Sequence, residues 1–347
     1  MGFLNRLGRA HDAVAVQDRE RVGESIQRVM ALHPQLGLAR QYRKRLAPAI
    51  GTSLVYLRAL VDAVPAPREA SAAAWAVDPY IHAYFAAPDD VPAILSRAAA
   101  LRDFFDNENN SGLPQACAVL GMEITERHIL GVRQEGGTMR RDVPQTTVSF
   151  SDHQVRMCGR DDAELRNGIV ERLLDQLALE GLARTAEDKS RRTALEKERA
   201  LLKTRLQLLE RQGRGIRGLI GGDVAHDLAE LALLAAQVEE NAQNLAALGL
   251  RDEALDRELE HVRTVFAHPE RHLTVATRRM RLNRMNVLVE GDDAQDGEEL
   301  EFRIASVPTM PPRVRAFSLI RFARTSMLAQ RNMFDEAEQQ LASGLWS

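Results

Sequence analysis

TAEDKSRRTALEKERALLKTRLQLLERQGRGIRGLIGGDVAHDLAELALLAAQVEENAQNLAALG, residues 185–249, sets the terms for the rest of the chain. In its second half Val224, Leu228, Leu231, Ala235, Val238, Ala242 and Leu245 follow alternating steps of four and three residues, which lines them along one stripe of a helix. In its first half Leu195, Leu202 and Leu209 recur every seven residues, Leu206 falls between the last two, and Arg199 takes the remaining inner place. Between the halves, Gly213 to Gly222 holds five glycines, whose backbone freedom suits a reversal between two helices. Residues 184–217 carry eleven Lys or Arg against five Asp or Glu, whereas 223–248 carry five acids and no Lys or Arg. Opposite charges favour pairing the two arms with each other, and about three heptads per arm is short for a free-standing coiled coil. The expectation is an antiparallel coiled-coil hairpin rather than a parallel dimer.

Upstream, residues 12–33 read as a helix with Val14, Val22, Ile26, Val29 and Met30 near one face. A second helix is expected from about Leu38 to Val61, kinked or divided at Pro48. Its basic run, Arg40 to Arg45, reads as a solvated helix face. Val64 to Ala72, with Pro65 and Pro67, reads as a linker, after which Trp75, Tyr80, Ile81, Tyr84 and Phe85 form an aromatic packing group. Asp89 or Asp90 caps a further helix that contains Pro92 and extends to Phe105.

Between Ala116 and Cys158 the texture turns to short apolar runs separated by Gly136-Gly137 and Ser151-Asp152, as in an antiparallel meander. Helix resumes at Asp161, with a stop expected at Gly181 before the hairpin. Beyond it, Leu255, Leu259, Val262 and Phe266 mark another helix ending at His268-Pro269. Alternation returns at Leu273–Val275, Met280–Leu282, Val287–Val289, Leu300–Ile304 and Val314–Phe322, and Met327 to Leu345 reads as a closing helix. The segments are then 1–64 and 72–112 (helical), 116–158 (β), 160–266 (helical, with the hairpin at 185–249), 272–324 (β) and 327–345 (helix). Each β segment alone is a thin meander, so the two are expected to meet in one sheet. The fold class is α+β, predominantly helical, with a small antiparallel β unit and an inserted hairpin.

At 347 residues the chain suits two or three structural units of about 150 residues. A net charge of -3 gives no overall bias toward nucleic acid or anionic membrane, and a 5 % aromatic content argues against base-stacking platforms. Two cysteines, Cys117 and Cys158, fit free thiols in a reducing compartment. Met1 to Val16 lacks the apolar core of a secretory signal, and Leu228 to Val238 is too short to span a bilayer and contains Glu230. The location expected is cytoplasmic, with no membrane insertion.

Motifs that suggest chemistry fail on context. Gly213-Arg-Gly215-Ile-Arg-Gly218 matches GxGxxG, but a helix and not a strand precedes it, so no dinucleotide is expected. His268-Pro-Glu-Arg-His272 has Pro269 where a zinc helix needs glutamate, and the acidic run from Asp292 to Glu299 lacks the EF-hand register. Ser149, Ser151, Asp152 and His153 are adjacent residues of a strand and turn, not a triad, and Asp223 reads as an N-cap beside His226. No catalytic, cofactor or metal residue is therefore assigned. The candidate contact is the tip of the hairpin, with Arg214 and Arg217 as donors and Leu219 and Ile220 as exposed apolar residues. The function expected is that of a non-enzymatic scaffold or interaction protein presenting the hairpin to a protein partner. Its rivals are nucleic-acid binding through the basic arm and Arg278 to Arg284, and an enzyme whose site is assembled from distant residues.

Overall fold

Ala116, Ala118, Leu120 and Met122 are buried at every second position of one strand, the period that turns a single face of a sheet toward a core. The computed structural model describes residues 19–135, 138–214, 224–248, 254–289, 297–307 and 313–329. Within them the protein is α+β, and the chain forms two compact units interleaved in sequence: Met1–Tyr56 with Leu173–His272, and Leu57–Arg172 with Leu273–Ser347.

The second unit holds the sheet. Strands β1 (Arg68–Glu69), β2 (Gln115–Glu135), β3 (Thr138–Gly159), β4 (Val275–Leu282), β5 (Glu298–Val307) and β6 (Arg313–Ala323) join in the order β3-β2-β6-β5-β4, with β1 parallel to β6. The two β segments of the sequence thus share one sheet, through β2 and β6 from Gln115↔Ala323 to Glu123↔Arg315. Arg68 and Glu69, read from sequence as linker, instead pair with Ile320 and Arg321. The sheet also curls. Val148 N donates to Asn286 O at 2.8 Å and Leu288 N to Thr146 O at 2.8 Å, while Val289 N donates to Arg281 O at 2.9 Å. Residues 286–289 therefore bridge the outer strands β3 and β4, and the backbone groups used there are no longer free edges.

The expected four-run meander is a correction: β2 and β3 are two long strands of 21 and 22 residues. Ser151-Asp152 is a bulge within β3, not a turn. Asp152 sits at φ 48°, and the β2–β3 register slips between Gly121 and Glu123. Arg315 holds the distortion, pairing with Asp152 Oδ2 at 2.6 Å and donating to the carbonyls of Asp152 and Gly121. A charged clamp that satisfies the irregular backbone explains why two polar residues interrupt the alternation without ending the strand.

Helices α3 (Ala72–Val77), α4 (Pro79–Tyr84), α5 (Asp90–Leu95) and α6 (Ala99–Asp106) supply the other layer of this core. Ser71 caps α3 by accepting from Ala74 N, and Asp78 caps α4 by accepting from Tyr80 N at 2.9 Å. The aromatic group expected to be core is core. Tyr84 and Phe302 lie 6.1 Å apart between ring centroids, and Phe150 lies 5.3 Å from Tyr84 and 5.0 Å from Phe302. The residues from 88 to 105 form two short helices rather than one, and Asp89 precedes the first without a side-chain cap bond.

In the first unit, α1 (residues 19–32) buries Ile26 and Val29, and its Arg28 binds the Asp175 carboxylate through two bonds of 2.6 and 3.1 Å. Helix α2 (Tyr42–Asp62) runs through Pro48 undivided. Its buried Leu46, Ala49, Ile50 and Leu54 outweigh the roughly 3 kcal/mol that an interior proline costs. Arg45 is not a solvated residue of the basic run, since it pairs with Asp256 and, at 3.5 Å, with Glu260.

Gly181 does not stop helix α7, which extends unbroken over Asp162–Arg214. The glycine serves a close approach: a Cβ there would stand 2.9 Å from Val262 Cα, on helix α9 (Ala254–Ala267). Beyond α7, helix α8 spans Val224–Ala247. Contacts between the two fall in opposite order along them. Arg192 donates to Leu248 O at 2.8 Å, Asn241 Nδ2 donates to Leu195 O at 3.1 Å and to Glu198 at 3.0 Å, and Arg205 pairs with Glu230 at 3.0 Å. In α8 the buried residues are Leu234 and Asn241, while Ala235 of the expected stripe is exposed. The inner positions keep the alternating three- and four-residue steps, and the larger Leu234 has taken the place expected of Ala235.

Candidate functional site

Of the tip residues, Arg214 is the last residue of α7, and Arg217, Leu219 and Ile220 lie outside the described residues. The acidic run Asp292 to Asp296, Asp223 and most of the closing helix also lie outside the described residues, while Arg324–Ser326 forms a short 3-10 turn with Met327 to Ala329 irregular after it.

The arms do present another surface, which sequence reading missed. Leu201 and Leu208 on α7 are 70 and 53 % exposed, and Leu233 on α8 is 60 % exposed. Leu201 precedes Arg205 by four residues and Leu208 follows it by three, so both lie on the Arg205 side of their helix; Leu233 follows Glu230 by three and lies on the Glu230 side of its own. Because Arg205 and Glu230 are bonded, all three leucines belong to one side of the paired helices.

Polar clusters elsewhere are occupied by structural work. In the helical unit, buried Glu258 receives Lys189 Nζ at 2.7 Å and has His33 Nε2 at 3.9 Å, and His261 stands 3.6 Å from Asp188. Lys189 and the two histidines surround these carboxylates, with a cleft of about 90 Å³ beside them. These contacts fasten α1, α7 and α9 together. In the sheet unit a cleft of about 230 Å³ is lined by Trp75, Asp78, His82, Asn283, Arg284 and Asn286. Its histidine has Nε2 at 2.7 Å from Arg284 O and stacks 4.2 Å from Trp75, and its Asp78 caps α4 and pairs with Arg68 at 2.9 Å. None of these side chains points free chemistry into the cleft. Among the described residues no group of three or more His, Cys, Asp or Glu is placed to hold a metal ion.

The Ser-Asp-His run is likewise dispersed. His153 Nε2 lies 2.7 Å from Tyr84 O, its ring stacks on Phe85 at 4.8 Å, and burial lowers its pKa below that of a free imidazole. Asp152 is held by Arg315. Some arginines of the strands are already paired with carboxylates: Arg278 with Glu126, Arg279 with Glu301 at 2.6 Å, and Arg303 with Glu301 at 3.8 Å. A phosphate would have to displace these carboxylates, which weakens the nucleic-acid reading.

Both cysteines are free. Burial raises the thiol pKa of Cys117 and pushes that of Cys158 up to about 12. Thiolate is the reactive form, so a thiol-specific reagent such as DTNB at pH 8 is expected to leave both unmodified in the native protein and to titrate both in urea. Stoichiometric labelling without denaturant would show that these positions open.

No protein-family model matches the chain, and neither a curated protein nor a solved structure matches it. Among the described residues no helix is long and apolar enough to cross a membrane.

Proposed function

We propose that the protein is a non-enzymatic scaffold or interaction protein of the cytoplasm, and that residues 185–249 form an antiparallel coiled-coil hairpin offered to a protein partner. The observation that carries this reading is the set of exposed leucines, Leu201, Leu208 and Leu233, on one side of two helices already paired through Arg205–Glu230 and Asn241. Leucines left in water on a charged helical support are a common mark of a protein contact. Lys189 on Glu258 and Arg315 on Asp152 occupy two of the carboxylates that acid–base chemistry would need. Arg214, Arg217, Leu219 and Ile220 extend the proposed contact to the tip.

The test replaces Arg184 to Gly249 by a short Gly/Ser linker and compares affinity purification of both forms at native expression. The expected result is a protein recovered with the intact chain and lost with the replacement. Recovery of the same set with both forms, or of neither another protein nor an untagged copy of the chain with the intact form, sinks the proposal.

A further inference from the structure

We propose that the leucine-bearing side of the arms is a self-association surface, on which the partner of the hairpin is a second copy of this chain. This rests on the hairpin reading above and names its occupant.

Three observations carry it. The first is that the leucines occur on both arms and at one level. Arg205 faces Glu230, so Leu201, four residues before Arg205, and Leu233, three after Glu230, lie the same way along the oppositely running helices. Each rises by about 5 Å from the bonded pair. Leucines at one level on both arms let a copy meet the patch with apolar side chain on apolar side chain, as an isologous contact requires.

The second is charge. Residues 184–217 carry six more Lys and Arg than Asp and Glu, and residues 223–248 carry five net acids. A two-fold axis along the length of the arms sets the basic arm of each copy on the acidic arm of the other, with both tips pointing the same way. The alternative axis, across the arms, would stack basic on basic and acidic on acidic. Complementarity therefore selects one arrangement out of two. In it Leu201 of one copy faces Leu233 of the other, twice.

The third is what flanks the leucines. Arg205 and Glu230 are bonded to each other across the side, so the centre of the patch carries a neutralised pair rather than a lone charge that burial would strand. Arg191 on the basic arm, two heptads before Arg205, and Glu240 on the acidic arm, one heptad after Leu233, are exposed on the same side at the rim. The contact is modest in size, which fits a dimer that forms at micromolar concentrations and weakens as salt screens the rim.

Sedimentation velocity of the full-length chain across roughly 1–100 µM tests this directly. A monomer–dimer equilibrium is expected, weakened by 0.5 M salt and with Kd raised at least about tenfold by Leu201→Glu with Leu233→Glu. Far-UV circular dichroism should be unchanged in this variant, since both positions are exposed. Mixing Leu201→Cys protein with Leu233→Cys protein under mild oxidation should give a disulfide heterodimer, with less crosslinking in either alone. A chain that stays monomeric at 100 µM, or a dimer that survives both glutamates with its helicity intact, overturns the proposal. So does a Leu201→Cys homodimer that crosslinks as fast as the mixture. Either failure leaves the scaffold reading to the affinity purification, which detects a different protein on the same hairpin independently.

Discussion

Gly181→Leu is expected to destabilise the protein by about 2–3 kcal/mol, read as a fall in the urea midpoint of the far-UV circular dichroism transition. The new side chain would begin 2.9 Å from Val262 Cα and 3.0 Å from its Cγ2, so its first carbon already meets backbone that cannot rotate away. Val262 is itself buried in α9 between Leu259 and Val265, which leaves that helix no cavity to retreat into. The control lies on the same helix. A Cβ at Gly168 meets only the end of the Met157 side chain, 3.4 Å away, and methionine can yield. Gly168→Ala should therefore be neutral or stabilising, by up to about 1 kcal/mol from helix propensity. Equal losses at the two glycines would mean that helix α7 and not its contact with α9 is the sensitive feature.

Phe302→Ala is expected to cost about 3–5 kcal/mol, the range for removing a buried aromatic ring. Phe302 is fully buried in β5, and its ring lies 5.9 Å from Tyr80, 6.1 Å from Tyr84 and 5.0 Å from Phe150. One truncation thus unpacks two helical tyrosines and the facing strand together. Near-UV circular dichroism should lose its tyrosine signal before the far-UV signal falls. Phe302→Leu, which keeps most of the volume, should recover most of the loss. If alanine lowers the urea midpoint no more than leucine does, the aromatic cluster is not what holds this unit together.

The elements were legible where period alone fixes them. Leu259, Val262 and Phe266 foretold α9, and the alternation of Leu300 with Phe302 foretold β5, because a side chain repeating every 3.6 or 2 residues leaves few other readings. Two kinds of misreading share a cause. Gly181 reads as a stop and Pro48 as a kink or division because local propensity disfavours both inside a helix, whereas the decisive quantity is what stands opposite: Val262 backbone for the glycine and a buried face for the proline. Likewise Ser151-Asp152 looks like a turn until Arg315, distant in sequence, is seen to satisfy it. Leu201, Leu208 and Leu233 cannot be told apart in sequence from the other members of leucine-rich arms; only knowing which residues pair the arms shows which leucines are left over.

The interleaving of the two units carries a consequence for the making of the protein. Strand β2 pairs with β6 across about two hundred residues of chain, among the longest separations a domain of this size can hold. During synthesis at about 5–20 residues per second, the hairpin of β2 and β3 is complete for about 10–30 s before β6 exists. Throughout that interval Leu120, Met122 and Phe150 have no facing strands to cover them. The residues emerging meanwhile are those of α7, α8 and α9, helices able to form in microseconds from local contacts. The sheet is thus begun before the helical arms and finished after them, and through that interval helices α3 to α6 alone are there to cover its half-built apolar face.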